Sequence, residues 1–258
     1  MNSHAPDQPT ISATTSDRQL LINNLAFVKG QMARACQRSG RHAREVTLLP
    51  VTKTVGESRL RMAYEAGLRT FGENRVQEVR TKASAMTDLD IKWSIIGHLQ
   101  TNKVKYVARF ATEFQALDSL KLASALDRRL QAEGRSLNVL IQVNSSGEES
   151  KYGIPPADIL PFVRQLVPFA SLKVQGLMTL ATFSGDEQRV RPCFRLMRRL
   201  RDRLRQEAPD SLSFDTLSMG MSGDFPIAIE EGATVVRIGQ ALFGQRPLPD
   251  SHYWPQSP

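Results

Sequence analysis

The sequence contains few cysteines and no long hydrophobic run, and each absence excludes a class of protein. Its 258 residues include two cysteines, Cys36 and Cys193, which lie far apart in segments with helical periodicity. Such a pair fits neither a disulfide framework nor a cysteine-rich metal site, and it is typical of the reducing cytoplasm. No segment is long and apolar enough to span a membrane, and the polar residues 1–16 lack the apolar core of a secretory signal. We therefore predict a cytoplasmic protein with no bound metal and no membrane partner.

The net charge of +8 permits an anionic partner but does not identify one. Much of this charge lies in residues 186–207, which have the pattern of an amphipathic helix. Its apolar positions are Val190, Phe194, Met197, Leu200 and Leu204, and its arginines at 195, 198, 201 and 205 are expected on the solvated face. Neither an RNA-binding motif nor interleaved aromatic residues accompany these arginines. Nucleic acid is therefore not the expected partner.

Short apolar runs alternate with amphipathic stretches along the chain. The runs lie near 46–52, 69–73, 91–97, 113–117, 137–143, 173–179, 214–219 and 234–238. This alternation predicts an α/β fold, a (β/α)8 TIM barrel. A doubly wound open sheet is the alternative, but no G-x-G-x-x-G motif follows the first run. Pro50 in the first run cannot donate a ladder hydrogen bond, a conflict that a β-bulge could absorb.

An additional helix precedes the barrel. Ser16 and Gln19 form a capping-box pattern, and apolar residues then recur at helical spacing until Gly40. Those apolar positions are Leu21, Leu25, Val28, Met32 and Ala35. We expect one domain over residues 17–245, between a disordered N-terminal tail (1–16) and a loose, proline-rich C-terminal tail (246–258).

Lys53 lies where the first predicted strand ends. At such a position the stem of a lysine is surrounded by apolar neighbours, and partial desolvation favours the neutral amine that attacks carbonyl carbons. A lysine that merely snorkels at a strand end is the simpler interpretation of its position alone. In a TIM barrel, however, the chemistry gathers at the carboxyl ends of the strands, where Lys53 belongs.

Glycines and polar residues after the seventh and eighth predicted strands suggest an anion site. Ser222 can offer a hydroxyl group, and Gly239 and Gln240 can offer backbone N–H groups at a helix start. Barrels commonly bind phosphate at these two ends, although loop glycines are also ordinary features of such turns. A lysine amine and a phosphate site in one barrel mouth indicate a phosphorylated aldehyde. Pyridoxal phosphate and the substrate of a sugar-phosphate aldolase both remain open at this point.

Several motifs, in order along the chain, are similar to those of one family. They are VTKT at 51–54, FGENRVQE at 71–78, IGHLQTNK at 96–103, GLMT at 176–179, SMGMSGD at 218–224, and VRIG at 236–239 with FG at 243–244. The sequence resembles the pyridoxal phosphate homeostasis proteins over about residues 18–246. These are single-domain relatives of the N-terminal barrel of alanine racemase, so the resemblance implies an alanine-racemase-like barrel of fold type III.

The resemblance also implies roles for individual residues. Lys53 would hold pyridoxal 5'-phosphate as a reversible Schiff base, and Ser222, Gly239 and Gln240 would bind its phosphate. Arg237 would contact either the pyridine nitrogen or the phosphate.

Other residues at the strand ends would surround the cofactor. Asn74 and His98 would line its face, although both residue types also serve as turn and cap residues. Met178 and Met219 would pack on the ring, although methionine at a strand end commonly belongs to the core.

Two features indicate how far the resemblance extends. Many family members have a second lysine two positions after the first, where this sequence has Val55. Alanine racemases carry a further domain whose tyrosine works opposite the lysine, and a two-base racemase needs both groups. Here Tyr253, in the predicted tail, is the remaining tyrosine after the last barrel element.

We therefore expect a monomeric carrier without classical racemase activity. It would buffer pyridoxal phosphate, or deliver it to pyridoxal-phosphate-dependent apoenzymes, within vitamin B6 and amino-acid homeostasis. A genuine racemase or aldolase of low activity is the alternative.

Overall fold

The chain forms a barrel of eight parallel strands surrounded by helices, in a computed structural model that describes residues 13–148 and 151–244. The strands are β1 (Thr47–Pro50), β2 (Thr70–Glu73), β3 (Lys92–Ile95), β4 (Glu113–Leu117), β5 (Leu137–Gln142), β6 (Leu172–Met178), β7 (Thr216–Ser218) and β8 (Val235–Ile238). The helices are α1 (Ala13–Arg38), α2 (Glu57–Glu65), α3 (Val76–Ala85), α4 (Val104–Phe110), α5 (Leu120–Ala132), α6 (Ile159–Arg164), α7 (Glu187–Glu207), α8 (Phe225–Glu230) and α9 (Gln240–Phe243). Each predicted apolar run contains one strand, so the predicted barrel with an additional N-terminal helix is confirmed.

The barrel closes between β1 and β2, and Pro50 lies at this seam. The other neighbours pair in the order β1-β8-β7-β6-β5-β4-β3-β2, whereas β1 meets β2 through an isolated bridge between Val51 and Gly72. The amide of Val51 donates to Ile238 of β8 (2.8 Å), and the amide of Thr52 donates to Gly72 (2.9 Å). Because successive amides in a strand point to opposite neighbours, the nitrogen of Pro50 faces the seam. The register of β1 against β8 is regular, so the predicted bulge is absent and unnecessary.

Helix α1 packs across α2, α8 and α9 with its predicted apolar face. The side chains buried there are Leu21, Leu25, Val28, Met32 and Ala35. The helix already begins at Ala13, within the predicted N-terminal tail and three residues before the predicted start at Ser16. The segment contains neither proline nor glycine that would stop the helix there. The rest of that tail, and residues 246–258, lie outside the described residues.

The arginines of α7 are engaged with the protein more than the sequence predicts. The predicted apolar face of α7 is buried. Glu231, the residue after α8, is also buried, with 4% of its surface exposed. Arg195 Nε and Arg198 Nη1 lie 3.1 Å and 3.2 Å from its carboxylate. Arg201 donates to the carbonyl of Gly232 (3.4 Å), so its expected solvated position is wrong. These cations anchor the turn between α8 and β8 rather than forming an uncommitted basic surface.

Among the helices of the described ranges, none combines the length and apolar character needed to cross a membrane. The longest of them, α1, has 26 residues but a polar face along its length.

Candidate functional site

Lys53 follows β1 and is buried, with 6% of its surface exposed. The chain turns sharply after it, because Thr54 adopts a left-handed φ of 66°. Two hydrogen bonds hold this turn: Thr54 N donates to Glu78 Oε1 (2.6 Å), and Val55 N donates to the carbonyl of Thr52 (2.9 Å). The bonds compensate for a backbone conformation that a β-branched residue rarely adopts. The lysine is therefore fixed at the barrel mouth by its neighbours in the chain.

A buried ionic cluster lies between β1, β2 and α3, directly beside this turn. The hydroxyl of Thr52 and the ammonium of Lys82 both donate to Glu73 Oε1, at 2.6 Å and 2.7 Å. Lys82 Nζ also donates to the Thr52 carbonyl (2.7 Å) and to Glu78 Oε1 (2.6 Å). Burial raises the pKa of Glu73, although the charge of Lys82 opposes this shift. We call Thr52, Glu73, Glu78 and Lys82 the buried cluster.

The buried cluster directly precedes Lys53 in the chain. Thr52 joins the cluster through its hydroxyl and its carbonyl, and Lys53 begins the turn that leads to α2. Glu73 and Glu78 belong to the FGENRVQE motif, which did not by itself predict the cluster. The signal was available, because Glu78 and Lys82 are four residues apart on one helix.

Next to Lys53 around the barrel mouth, the residues after β7 and β8 meet through Ser222, because β8 is the neighbour of β1. Its Oγ accepts a hydrogen bond from Ala241 N (3.2 Å), within the first turn of α9, and keeps its own hydrogen for donation. Gly220 begins the preceding loop at a φ of 95°, where an added Cβ would lie 2.6 Å from the Cβ of Ala228. Met221 N donates to Asp224 Oδ1 (2.5 Å), and burial raises the pKa of that carboxyl. The loop is thus built around a glycine and an internal carboxylate cap.

A cleft opens between the β1–α2 turn and the start of α9. It is lined by Lys53, Val55, Arg59, Gly239, Gln240 and Phe243, with Val51, Thr54, Gly56 and Gly244 around them. We call this the rim cleft. It brings Lys53 together with two of the predicted phosphate residues. The other predicted site residues do not line it: Asn74, His98, Met219, Ser222 and Arg237.

Arg237 lies in β8 and extends its guanidinium inside the barrel. It donates to Ser218 Oγ (2.8 Å) and to the carbonyl of Thr179 (2.7 Å), at the ends of β7 and β6. The residue is 3% exposed, and burial lowers its pKa to about 10, so it stays protonated at neutral pH. The side chain therefore contacts β6 and β7, whereas the hydroxyl that reaches α9 belongs to Ser222.

A chain of polar contacts that the sequence analysis missed continues from Arg237 across the barrel. Ser218 Oγ donates to Gln115 Oε1 (2.7 Å), and Gln115 Nε2 donates to Glu113 Oε2 (2.7 Å). Ser94 Oγ donates to the same carboxylate oxygen (2.6 Å). These residues come from β3, β4 and β7, and they satisfy one another's hydrogen-bonding groups. Because Ser218 also accepts from Arg237, the network fixes the position of the arginine. The long separation of these residues in sequence hides the network from pattern reasoning.

Asn74 and His98 lie at the ends of β2 and β3. Asn74 Oδ1 is buried and has no hydrogen-bond partner within the described residues, so an unsatisfied acceptor lies just after β2. His98 Nδ1 lies 3.3 Å from Asp118 Oδ2, and its ring stacks on Tyr152 with 4.1 Å between ring centroids. Burial raises the pKa of Asp118, and the nearby histidine opposes that shift. His98 is thus held by two partners that the sequence analysis did not identify.

The two methionines at strand ends are fully buried. Met178 ends β6 and Met219 follows β7, and both have 0% exposure. The amide of Met219 donates to the carbonyl of Val235 in β8 (3.1 Å). Both positions are those of core residues just beneath the mouth.

Comparison with known proteins gives consistent results over most of the chain. A family model described as "Alanine racemase, N-terminal domain" matches residues 29–247. A protein of Aquifex aeolicus named "Pyridoxal phosphate homeostasis protein" is 43% identical over 222 residues, which cover 86% of this chain and 96% of that protein. The range matched by the family model contains all eight strands.

Solved structures give the same result for the fold. The structure of PipY from Synechococcus elongatus with PLP bound matches with a TM-score of 0.78 and 35% identity, covering 87% of this chain and all of PipY (100%). An alanine racemase from Bartonella henselae matches with a TM-score of 0.66 and 15% identity, covering 90% of this chain and 62% of the racemase. The second likeness concerns the fold alone. The predicted alanine-racemase-like barrel is confirmed.

Proposed function

The chain belongs to the pyridoxal phosphate homeostasis protein family, and on this premise we propose that it binds pyridoxal 5'-phosphate covalently but reversibly through Lys53. The cofactor supplies an aldehyde and a phosphate dianion. The Nζ amine of Lys53 joins the aldehyde carbon with release of one water molecule, and water reverses the reaction. Through this exchange the protein acts in vitamin B6 and amino-acid homeostasis.

One observation carries the proposal: buried Lys53 shares the rim cleft with Gly239 and Gln240. An amine and a phosphate-binding backbone on facing walls of one cleft match the two ends of this cofactor. The buried acceptor of Asn74, which has no hydrogen-bond partner in the described residues, is a further polar group available to a ligand. The residues present therefore fit the cofactor.

The remaining site residues take the following roles in the proposal. Ser222 donates its hydroxyl hydrogen to the phosphate while it holds Ala241, and Gly239 and Gln240 offer backbone N–H groups. Asn74 and His98 line the cofactor face. Met219 packs beneath the ring, as its complete burial at the mouth allows.

We assign Arg237 to the pyridine nitrogen rather than to the phosphate. Its guanidinium is held by Ser218 and Thr179, whereas Ser222 and α9 form the phosphate side of the mouth. A permanent cation beside that nitrogen disfavours its protonation. The ring then withdraws electrons less strongly, which suits storage of the cofactor better than turnover of an amino acid.

Addition of pyridoxal phosphate to the purified protein tests the covalent link. The absorbance of the bound cofactor is expected to move away from that of the free aldehyde, and Lys53→Ala is expected to abolish this change. Lys121→Met serves as the control, because it removes an exposed lysine of α5 that does not line the rim cleft. A Lys53→Ala protein that kept the wild-type spectrum would contradict the role of Lys53.

A carrier role, rather than enzyme turnover, is the second part of the proposal. The relatives with substantial identity are named as homeostasis proteins and not as enzymes. Incubation with D- and L-amino acids in deuterated water is expected to give no Lys53-dependent exchange of the α-proton at enzymatic rates. Rapid exchange that depends on Lys53 would instead establish a racemase-like activity.

The recipients and the setting complete the proposal. We propose that the protein acts as a monomer in the cytoplasm and transfers the cofactor to pyridoxal-phosphate-dependent apoenzymes. Mixing the loaded protein with such an apoenzyme is expected to restore its activity faster than release into buffer allows. If the apoenzyme regains activity no faster than the loaded protein releases the cofactor into buffer, the protein acts as a buffer alone. Light scattering would separately detect any assembly larger than a monomer.

A further inference from the structure

Arg59 is the cation of the rim cleft that the function proposed above does not use. It lies in the first turn of α2 and is half-buried, and it lines the cleft together with Lys53, Gly239 and Gln240. A guanidinium group presents several N–H donors in one plane, which matches the oxygens of a phosphate group. Its position is therefore that of a ligand contact.

Within the described residues, Arg59 has neither a hydrogen-bond partner nor an ion-pair partner. The nearest acid on its own helix, Glu57, is taken by Arg61 at 3.0 Å. Arg61 also forms an ion pair with Asp88 (2.6 Å), which follows α3 in the chain. Partial burial of a cation without a protein partner is unfavourable, and an anion in the cleft would offset this cost.

The wall of the rim cleft before Arg59 is apolar. Val55 is buried at 9% exposure and lines the cleft four residues before Arg59. Position 55 therefore contributes no charge to the cleft, and Arg59 supplies a cation on the same side.

We propose that Arg59 binds the phosphate group of the ligand held in the rim cleft. The inference rests on the proposed function, since it names a further residue of that site. It makes Arg59 a determinant of affinity for phosphorylated pyridoxal over pyridoxal itself.

The test measures binding of pyridoxal phosphate and of pyridoxal, which lacks the phosphate, to wild-type protein and to Arg59→Gln. The variant is expected to bind pyridoxal phosphate about tenfold more weakly, with pyridoxal affinity unchanged, as for loss of one charge-assisted hydrogen-bonding group. Arg59→Lys is expected to retain most of the affinity. Arg128→Gln, an exposed arginine of α5, is the matched control and is expected to change neither affinity.

A second probe separates this inference from the role of Lys53. Calorimetric titration with 4'-deoxypyridoxine 5'-phosphate, which carries the phosphate but no aldehyde, is expected to show the same weakening in Arg59→Gln. If wild-type protein binds pyridoxal phosphate through Lys53 but Arg59→Gln leaves both affinities unchanged, or lowers both equally, the inference about Arg59 is wrong and the proposed function stands. If the wild-type protein shows no Lys53-dependent binding, the proposed function fails instead.

Discussion

Two lysines are buried near the carboxyl end of β1, and they lie in different surroundings. Lys82 directs its ammonium into the buried cluster, where Thr52, Glu73 and Glu78 each supply an acceptor within 2.7 Å. All three of its donors are used by the protein, so it has none left for a ligand. Lys53 lines the rim cleft beside Gly239 and Gln240. Burial alone therefore does not identify a reactive lysine, whereas the groups around it do.

The difference arises from two adjacent residues that follow β1. Thr52 joins the buried cluster through its hydroxyl, and Lys53 lines the rim cleft. The cluster fixes the backbone on which Lys53 is mounted, because Lys82 holds the carbonyl of Thr52. One lysine thus stabilises the position of the other.

The largest expected effect is on stability, from Lys82→Met. Removing one partner of a buried ion pair leaves the charge of Glu73 uncompensated, which typically costs about 3–5 kcal/mol. Chemical denaturation is expected to show a loss of that size, with Lys121→Met, an exposed lysine of α5, as control. The folded fraction is expected to keep its Lys53-dependent cofactor binding. A loss below about 1 kcal/mol would show that the cluster is not the anchor described above.

The penalty in Lys82→Met is expected to depend on pH. Burial raises the pKa of Glu73 above its ordinary value of 4.5, and loss of Lys82 removes an opposing charge and raises it further. A carboxyl whose pKa is raised by folding contributes stability at low pH and loses it as the pH rises through the folded-state pKa. The difference in unfolding free energy between variant and wild type is therefore expected to shrink as the pH falls through the two folded-state pKa values of Glu73, both of which lie above 4.5. A difference that stays constant with pH would exclude Glu73 as its origin.

On the ligand side of the comparison, Ser222→Ala is expected to weaken binding of pyridoxal phosphate about tenfold. The phosphate loses a hydroxyl donor, and α9 loses the acceptor for Ala241 N. The affinity of Ser222→Ala for pyridoxal is expected to stay unchanged. The control variant Ser136→Ala, at an exposed position, is expected to bind both ligands as the wild-type protein does. Equal weakening for pyridoxal and its phosphate would place Ser222 away from the phosphate.

The smallest effect is expected from Thr52→Val, which probes the boundary between the two regions. The substitution removes the hydroxyl donor to Glu73 Oε1 while the backbone carbonyl that Lys82 holds remains. Thermal denaturation is expected to show a loss of about 1 kcal/mol, the usual worth of one hydrogen bond. Cofactor affinity is expected to change little. A large loss of affinity without loss of stability would mean that Thr52 acts directly on the ligand.

Much of the fold could be predicted because its signals are local. Eight apolar runs identify eight strands, and the apolar periodicity of α1 and α7 predicts their buried faces. Helix starts are less well determined, because Ser16 could be a cap but the residues before it also tolerate a helix. The consequence of Pro50 depends on which neighbour its nitrogen faces, and that becomes visible only when the barrel closes.

The candidate site was predictable only where residues follow a strand directly. Lys53, Gly239 and Gln240 meet in one cleft because parallel strands end on one side of a barrel. The partners of Arg237 and His98 come from other strands and loops, such as Thr179 and Asp118, and no sequence spacing reveals them. Arg59 was missed for a similar reason: a polar residue in an amphipathic helix looks solvated until the neighbouring loop is seen.

The central claim is that Lys53, and not Lys82, holds pyridoxal phosphate. Borohydride reduction of the protein loaded with pyridoxal phosphate, followed by peptide mapping, tests it most directly because reduction makes the link to the lysine permanent. The account predicts one labelled peptide that contains Lys53, and no label in Lys53→Ala. Label on Lys82, or stoichiometric label that survives in Lys53→Ala, would contradict it.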